Sequence, residues 1–407
     1  MWCTIDEVYK AYLDCRRRKR NTKSCAAFEQ HELANISVLW TDLNTHNYTI
    51  GKSIAFCVTR PKVREVFAAD FRDRVVHHLL MMRLLPIFEG AFIDDTYNCR
   101  KGKGTDYGVK RVAEMAEQYE DGWVLKCDLQ GFFMTIHKPT LADALESLIR
   151  TRYHGNDTED MVWLARMIAE HSPELNCERR GDLTLWDKLP ANKSLFCNGK
   201  DYGQAIGNLT SQIFANYYLQ ELDDYLSNVP NTRYGRYVDD FVVFANTKDE
   251  LLQLLPHIRQ ILSDRKMVLH PHKVYLQPVR HGLTFIGSTI KHGRIYAGNR
   301  TVGNATNLIR KYNRYYTHLD APVEVITQRF VQRYNSYMGY LIHRKTYAIR
   351  RKLWEQVSDE KYCYIVNMAV MKVRNKYKLN AYILKGYGKR SNTDLGIQGG
   401  NGSLQAR

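Results

Sequence analysis

The chain has 407 residues, enough for two or three domains with sizeable cores. With 44% hydrophobic residues it reads as globular rather than disordered, and no apolar run reaches the length of a membrane span. Its 59 Lys and Arg against 43 Asp and Glu leave a net charge of +16, which favours a polyanionic partner, nucleic acid before a membrane surface.

The N-terminus lacks the hydrophobic stretch of a signal peptide, and the nine cysteines are odd in number, with no Cys-x-x-Cys pair. That usage argues against a zinc site or a disulfide framework, and for a reducing cytoplasm. Residues 4–15 read as a helix, with Thr4 and Glu7 as a capping box and Ile5, Val8 and Tyr12 along one face. The basic run Arg16–Arg20 is a solvated face or a phosphate contact. After a helical stretch near 25–43, residues 54–68 read as a hairpin on which Lys62 and Arg64 project from one side. Arg64 offers a planar fork for phosphate oxygens, although a surface strand with two cations reads the same way.

A helix follows from about residue 69, on which the adjacent His77 and His78 face different directions and make a poor metal pair. Tyr97–Thr105 is a Gly-containing loop with the cations Arg100, Lys101 and Lys103, suited to cradling phosphate. Trp123–Asp128 reads as an apolar strand ending in a carboxylate, followed by Gly131, Phe132 and Phe133. On strand-like backbone the two aromatics face opposite sides, which puts Phe132 in the core. Residues 155–203 read as a polar insertion without legible chemistry. Gln204–Gln212 is a polar turn opening an amphipathic helix that runs to about Asn228.

Within Arg233–Ala245, Tyr237-Val238 and Phe241–Phe244 have strand composition, with Asp239 and Asp240 at a hairpin tip between them. Two adjacent carboxylates in an apolar ribbon repel each other and lose hydration. A hard divalent cation such as Mg²⁺ compensates them naturally; an exposed Asp-Asp turn is the plainer alternative. Glu250–Ser263 is an amphipathic helix, and Met267–Lys273 carries a lysine that is also an ordinary surface cation by type. From Val323 the period is helical, through Ile326, Phe330, Tyr334, Tyr337 and Leu341, and about 386–407 is a Gly, Ser and Asn-rich tail read as mobile.

Taken together, Asp128, the Gly207-x-x-x-Ser211 turn and Tyr237-Val238-Asp239-Asp240 resemble, in order and spacing, the palm motifs of reverse transcriptases, over roughly residues 30–350. The resemblance implies an α+β right-hand polymerase: fingers and N-terminal extension over 1–120, palm over 121–295, helical thumb over 296–385. It implies that Asp128 and Asp239, with the main chain of Leu129, hold two Mg²⁺ ions, and that Asp240 supports them. Lys273 matches a palm lysine that protonates the departing pyrophosphate. Lys62 and Arg64 match the fingers grip on deoxynucleoside triphosphate. Phe133 matches the residue under the incoming sugar, and Ile206, Gly207 and Gln212 belong to the nucleotide pocket. Arg100, Lys101, Lys103 and Tyr237 are placed against template RNA and primer. Phe285-Ile286-Gly287 resembles the primer-grip turn, and Asn335–Tyr340 a thumb of the group II intron type.

Ile206-Gly207-x-x-x-Ser211-Gln212, Arg100-Lys101-Gly102-Lys103-Gly104 and Phe71–Arg74 are similar to the reverse transcriptases of diversity-generating retroelements. That branch implies error-prone copying at adenines of a template-repeat RNA, and a small basic accessory protein as partner. The alternatives are a group II intron, retron or antiphage defence reverse transcriptase and, in another class, an RNA-binding scaffold without catalysis. Intact carboxylates disfavour the last.

Overall fold

The computed structural model describes residues 1–17, 19–59, 62–317, 322–357 and 363–376, so the tail expected over 386–407 lies outside the described residues. The chain divides into two compact units after Val279. In the first, helices α1 (Ile5–Arg16), α2 (Lys23–Glu29) and α3 (Glu32–Asn44) precede strands β1 (Ser53–Val58) and β2 (Arg64–Ala68). The α1 capping box forms as read: Glu7 N donates to the Thr4 hydroxyl, and Thr4 N to the Glu7 carboxylate. Helix α4 (Phe71–Ala91) buries Phe71, Val75, Val76, Leu79, Leu80 and Phe88, and α1 packs along it. A helix that is apolar around most of its circumference belongs in a core. Of its histidines, His77 is buried on the Thr210 hydroxyl, and His78 pairs with Asp14.

Helix α5 (Thr105–Gln118), strand β3 (Trp123–Asp128), the single turn α6 (Phe132–Thr135), and helices α7 (Lys138–Arg152) and α8 (Thr158–Glu170) follow. The stretch 155–203, read as one polar insertion, divides in two. Met161, Leu164, Ala165 and Ile168 recur at helical spacing and bury α8 against α7, so this part is core. From residue 171 onward only short 3₁₀ turns and β4 (Cys177–Arg179) form, and β4 adds in parallel to β1. Glu65 on β2 pins this segment. Its buried carboxylate accepts from Trp186 Nε1, Ser194 Oγ and Leu195 N, each at 2.8 Å.

The second half of this unit comprises α9 (Leu209–Tyr218), α10 (Gln220–Ser227), β5 (Arg233–Tyr237), β6 (Asp240–Ala245), α11 (Lys248–Asp264) and β7 (Tyr275–Pro278). The helix expected to reach Asn228 is two helices, meeting at Leu219 (φ −97°, ψ 10°). An antiparallel sheet runs β5-β6-β3-β7, with α5 against β5 and β6 and α11 against β3 and β6. Val242, Val243, Phe244, Val124 and Leu125 are fully buried, so the two central strands read as apolar runs rather than alternating ones.

In the second unit, β8 (Leu283–Phe285), β9 (Ser288–Lys291) and β10 (Arg294–Ala297) form a meander ahead of α12 (Asn299–Thr317), α13 (Val323–Ile342), α14 (Tyr347–Glu355), and the pair β11 (Cys363–Asn367) and β12 (Lys372–Asn375). Ile326, Phe330, Tyr334, Met338 and Leu341 bury one face of α13. The meander, assigned from sequence to the palm, folds with these helices. Tyr340 Oη donates to Gly287 O at 3.1 Å, Arg344 Nε to Ser288 Oγ at 2.9 Å, and Lys345 N to Ile295 O at 3.0 Å. The fold class is α+β. All nine cysteines are free, and among the described residues no helix is long and apolar enough to cross a membrane.

Candidate active site

The antiparallel register sets Asp128 directly opposite Asp240 at the ends of β3 and β6, so both side chains leave the same face of the sheet. Asp239 lies between Tyr237 and Asp240, in the two-residue turn joining β5 to β6. Its carbonyl accepts from Leu129 N at 3.2 Å, tying the turn to the end of β3. Val238, the first central residue of that turn, has φ +59°. A positive φ at this position alone is the II′ pattern, which glycine normally fills. A β-branched residue there is strained by about 1–3 kcal/mol. Two hydrogen bonds hold it: Val238 N donates to Asn98 Oδ1, and Arg236 Nη1 to Val238 O, both at 3.0 Å. Arg236 is itself fully buried, forking onto Asp223 and donating to Asn216 O at 3.0 Å.

The carboxylates are under electrostatic stress. Burial raises the Asp240 carboxyl to about 6, with Asp239 and Asp128 adding to the rise and Lys126 opposing it. Burial also raises Asp239, helped by Asp128 and opposed by Lys273 and Arg64. Lys273 Nζ donates to Asp128 Oδ1 at 2.8 Å. Lys126 Nζ stands 3.2 Å from Asp240 Oδ1, yet that buried oxygen receives no hydrogen bond of sound geometry. Among the described residues no three His, Cys, Asp or Glu side chains group as a ready-made metal cage. The donor set nonetheless fits Mg²⁺, which commonly takes one or two protein carboxylates and completes its shell with water and substrate phosphates.

Arg64 opens β2, exposed, and its charge reaches Asp239; Lys62 is exposed just before it. Phe133 is half-buried, edge-on to the buried Phe132 at 5.3 Å between centroids. Both sit on the helical turn α6, not on a strand, so they are separated by a helical step rather than opposed. Ile206 O accepts from Phe67 N at 2.9 Å. Gly207 has φ +130°, and a Cβ there would lie 2.8 Å from Phe67 O, so only glycine lets the turn lie against β2. Gln212 is exposed at the start of α9 and accepts from Cys99 Sγ at 2.7 Å.

The basic loop resolves into cations of different kinds. Lys101 is exposed, whereas Arg100 turns inward onto Glu89, Ile93 O and Thr96 and holds the loop's base. Lys103 is bound to Asp94, and burial lowers its ammonium. Tyr237 Oη accepts from Thr105 Oγ1 at 3.4 Å. Sequence reasoning missed Lys126, Arg236, Asp223 and Asn98. The one signal available for Arg236 was a second cation within the short strand that opens on Arg233.

Residues 59–290 match the family model described as reverse transcriptase (RNA-dependent DNA polymerase). Protein YkfC of Escherichia coli (strain K12) is 23% identical over 274 residues, covering 59% of this chain and 66% of that protein. The solved structure of apo telomerase from Candida Tropicalis overlays with a TM-score of 0.46 at 10% identity, covering 76% of this chain and 59% of that one. The chain thus spans just under two thirds of the one relative's length and three fifths of the other's. With more than half of its residues inside the family model, and the three carboxylates gathered where β3 meets the β5–β6 turn, the chain belongs to the reverse transcriptase family.

Proposed function

We propose that this chain is an RNA-directed DNA polymerase that copies the template-repeat RNA of a diversity-generating retroelement, with raised error opposite adenine. One observation carries the polymerase reading: Asp128, Asp239 and Asp240 converge at the strand ends, with a buried Asp240 oxygen left without a hydrogen bond. Asp128 and Asp239, with the main chain of Leu129, hold two Mg²⁺ ions, and Asp240 supports them. When bound, the ions lower the pKa of a primer 3′-hydroxyl and neutralise charge on the transferring phosphoryl group. Arg64 and Lys62 grip the triphosphate, and Phe133 lies under the sugar. Lys273, now on Asp128, supplies a proton to the departing pyrophosphate. Lys101 and the exposed face of its loop meet RNA phosphate.

The branch is supported by the Ile206-Gly207 turn and the Arg100–Gly104 segment. The resemblance puts a Gln at this place in accurate relatives, whereas the Ile206 side chain offers no donor or acceptor to check the incoming pair. A small basic accessory protein and a cytoplasmic setting complete the reading. With a net charge of +16 on this chain, such a partner is expected to bind through RNA or through local acidic patches.

The test is extension of a primer on an adenine-rich RNA in Mg²⁺, followed by sequencing of the cDNA. Extension supports the polymerase, and an excess of errors opposite adenine supports the branch. Faithful copying points instead to a group II intron, retron or defence enzyme. Ile206→Gln is expected to lower the adenine error rate by up to about fivefold, the worth of one hydrogen bond.

A further inference from the structure

Residues 95–98 lie along the open edge of β5 as an extra, irregular strand. Arg236 N donates to Asp95 O at 2.9 Å, Tyr97 N to Arg236 O at 3.0 Å, and Thr96 bridges Arg236 in parallel. Next along the same edge, Asn98 Oδ1 accepts from Val238 N at 3.0 Å. Asn98 is 4% exposed, so its amide is held within the fold rather than in solvent. Beyond it the loop turns outward to the exposed Lys101. One side chain therefore links a cationic loop to the strained residue that immediately precedes Asp239.

We infer that Asn98 is a positioning residue. It fixes the Val238–Asp239 turn, and it transmits engagement of the 95–105 loop by a polyanion to the carboxylates. This rests on the polymerase reading above for what the carboxylates do, but not for the link itself. Without the Asn98 acceptor, the N–H of the half-buried Val238 loses its partner within the chain, and nothing on the loop side opposes relaxation of φ out of the left-handed region. The Arg236 bond to Val238 O remains, so the turn loosens rather than unfolds. Glycine at 238 would hold the same φ unaided.

The experiment combines kinetics with hydrogen exchange on the full chain. Asn98→Ala is expected to lower kcat about tenfold on a preformed primer–RNA duplex, with KM for nucleotide within about twofold. In a Val238→Gly background the same change should cost less than about threefold, because the strain that Asn98 opposes is gone. Equal losses in the two backgrounds, or no loss in either, would overturn the assignment. By mass spectrometry, a short unstructured RNA should slow exchange across residues 237–241 in the wild type and leave it unchanged in Asn98→Ala. Slowing that persists in the variant removes the link. Asn98→Leu, of similar shape without the acceptor, carries the same test should the alanine variant not fold. If the wild type fails to extend primers, the polymerase reading falls, and the exchange arm still decides the role of Asn98.

Discussion

Glu65 and Asp240 are both carboxylates held largely inside the first unit, and their surroundings differ in kind. Glu65 accepts three hydrogen bonds at 2.8 Å from donors on one segment. Asp240 faces two other carboxylates and a lysine that stands near one oxygen without a good hydrogen bond to it. The first arrangement is complete in itself, and the anion serves as a rivet for residues 186–195. The second leaves one buried Asp240 oxygen without a hydrogen bond, although Lys126 and Lys273 stand beside the cluster. A buried anion with a full set of donors does structural work; a cluster short of them is one that a cation would relieve, as the proposed function requires.

The comparison predicts effects of graded size. The largest is catalytic: Asp128→Ala or Asp239→Ala should reduce Mg²⁺-dependent extension by more than about 10³-fold, while RNA affinity by fluorescence anisotropy changes less than about twofold. Extension near the wild-type rate in either variant would dissolve the contrast. Next, Glu65→Ala strands three donors and should destabilise the first unit by about 3 kcal/mol, read as a lower denaturant midpoint. Its specific activity per folded molecule should hold.

Asp240 sharpens the comparison through pH. Raised from 3.8 to about 6, it favours the folded state only while protonated; that contribution is full below 3.8 and is lost as pH rises through about 6. Ionised at neutral pH without metal, it costs about 3 kcal/mol. Asp240→Asn should therefore raise stability in chelator by up to that amount above about pH 7, and by nothing below about pH 4. Added Mg²⁺ should shrink the gap by stabilising the wild type alone. The smallest effect belongs to Trp186→Phe, which keeps a ring against Phe196 but removes one of the three donors to Glu65. A loss of about 1 kcal/mol without change in kcat is expected in a melting series paired with extension assays.

Much of this site was legible because local rules govern it. Strand composition ran up to Asp128 and on from Asp240, so the carboxylates had to sit at strand ends. Gly207 was legible as a turn, although its reason, the approach of Phe67 O, depends on a strand far away in sequence. What stayed hidden was set by tertiary partners. A Gly-rich basic loop does not reveal which cations turn inward, and Arg100 does so because Glu89 and the Ile93 carbonyl wait beneath it. Helix α8 was masked by its polar neighbours, though Met161, Leu164, Ala165 and Ile168 carried its period. No pattern in the chain pairs Asp223 with Arg236, since that contact exists only once α10 lies against β5.

The bonds from Tyr340, Arg344 and Lys345 back to the β8–β10 meander bear on how this protein can be cut. A C-terminal fragment that begins at 296 discards the acceptors of all three and leaves the end of α13 with ragged, water-exposed polar groups. One that begins at Arg280 keeps meander and helices together as a single cassette. In a chimaera, the exchangeable module is thus the meander with its helices, and the splice point belongs between Val279 and Arg280.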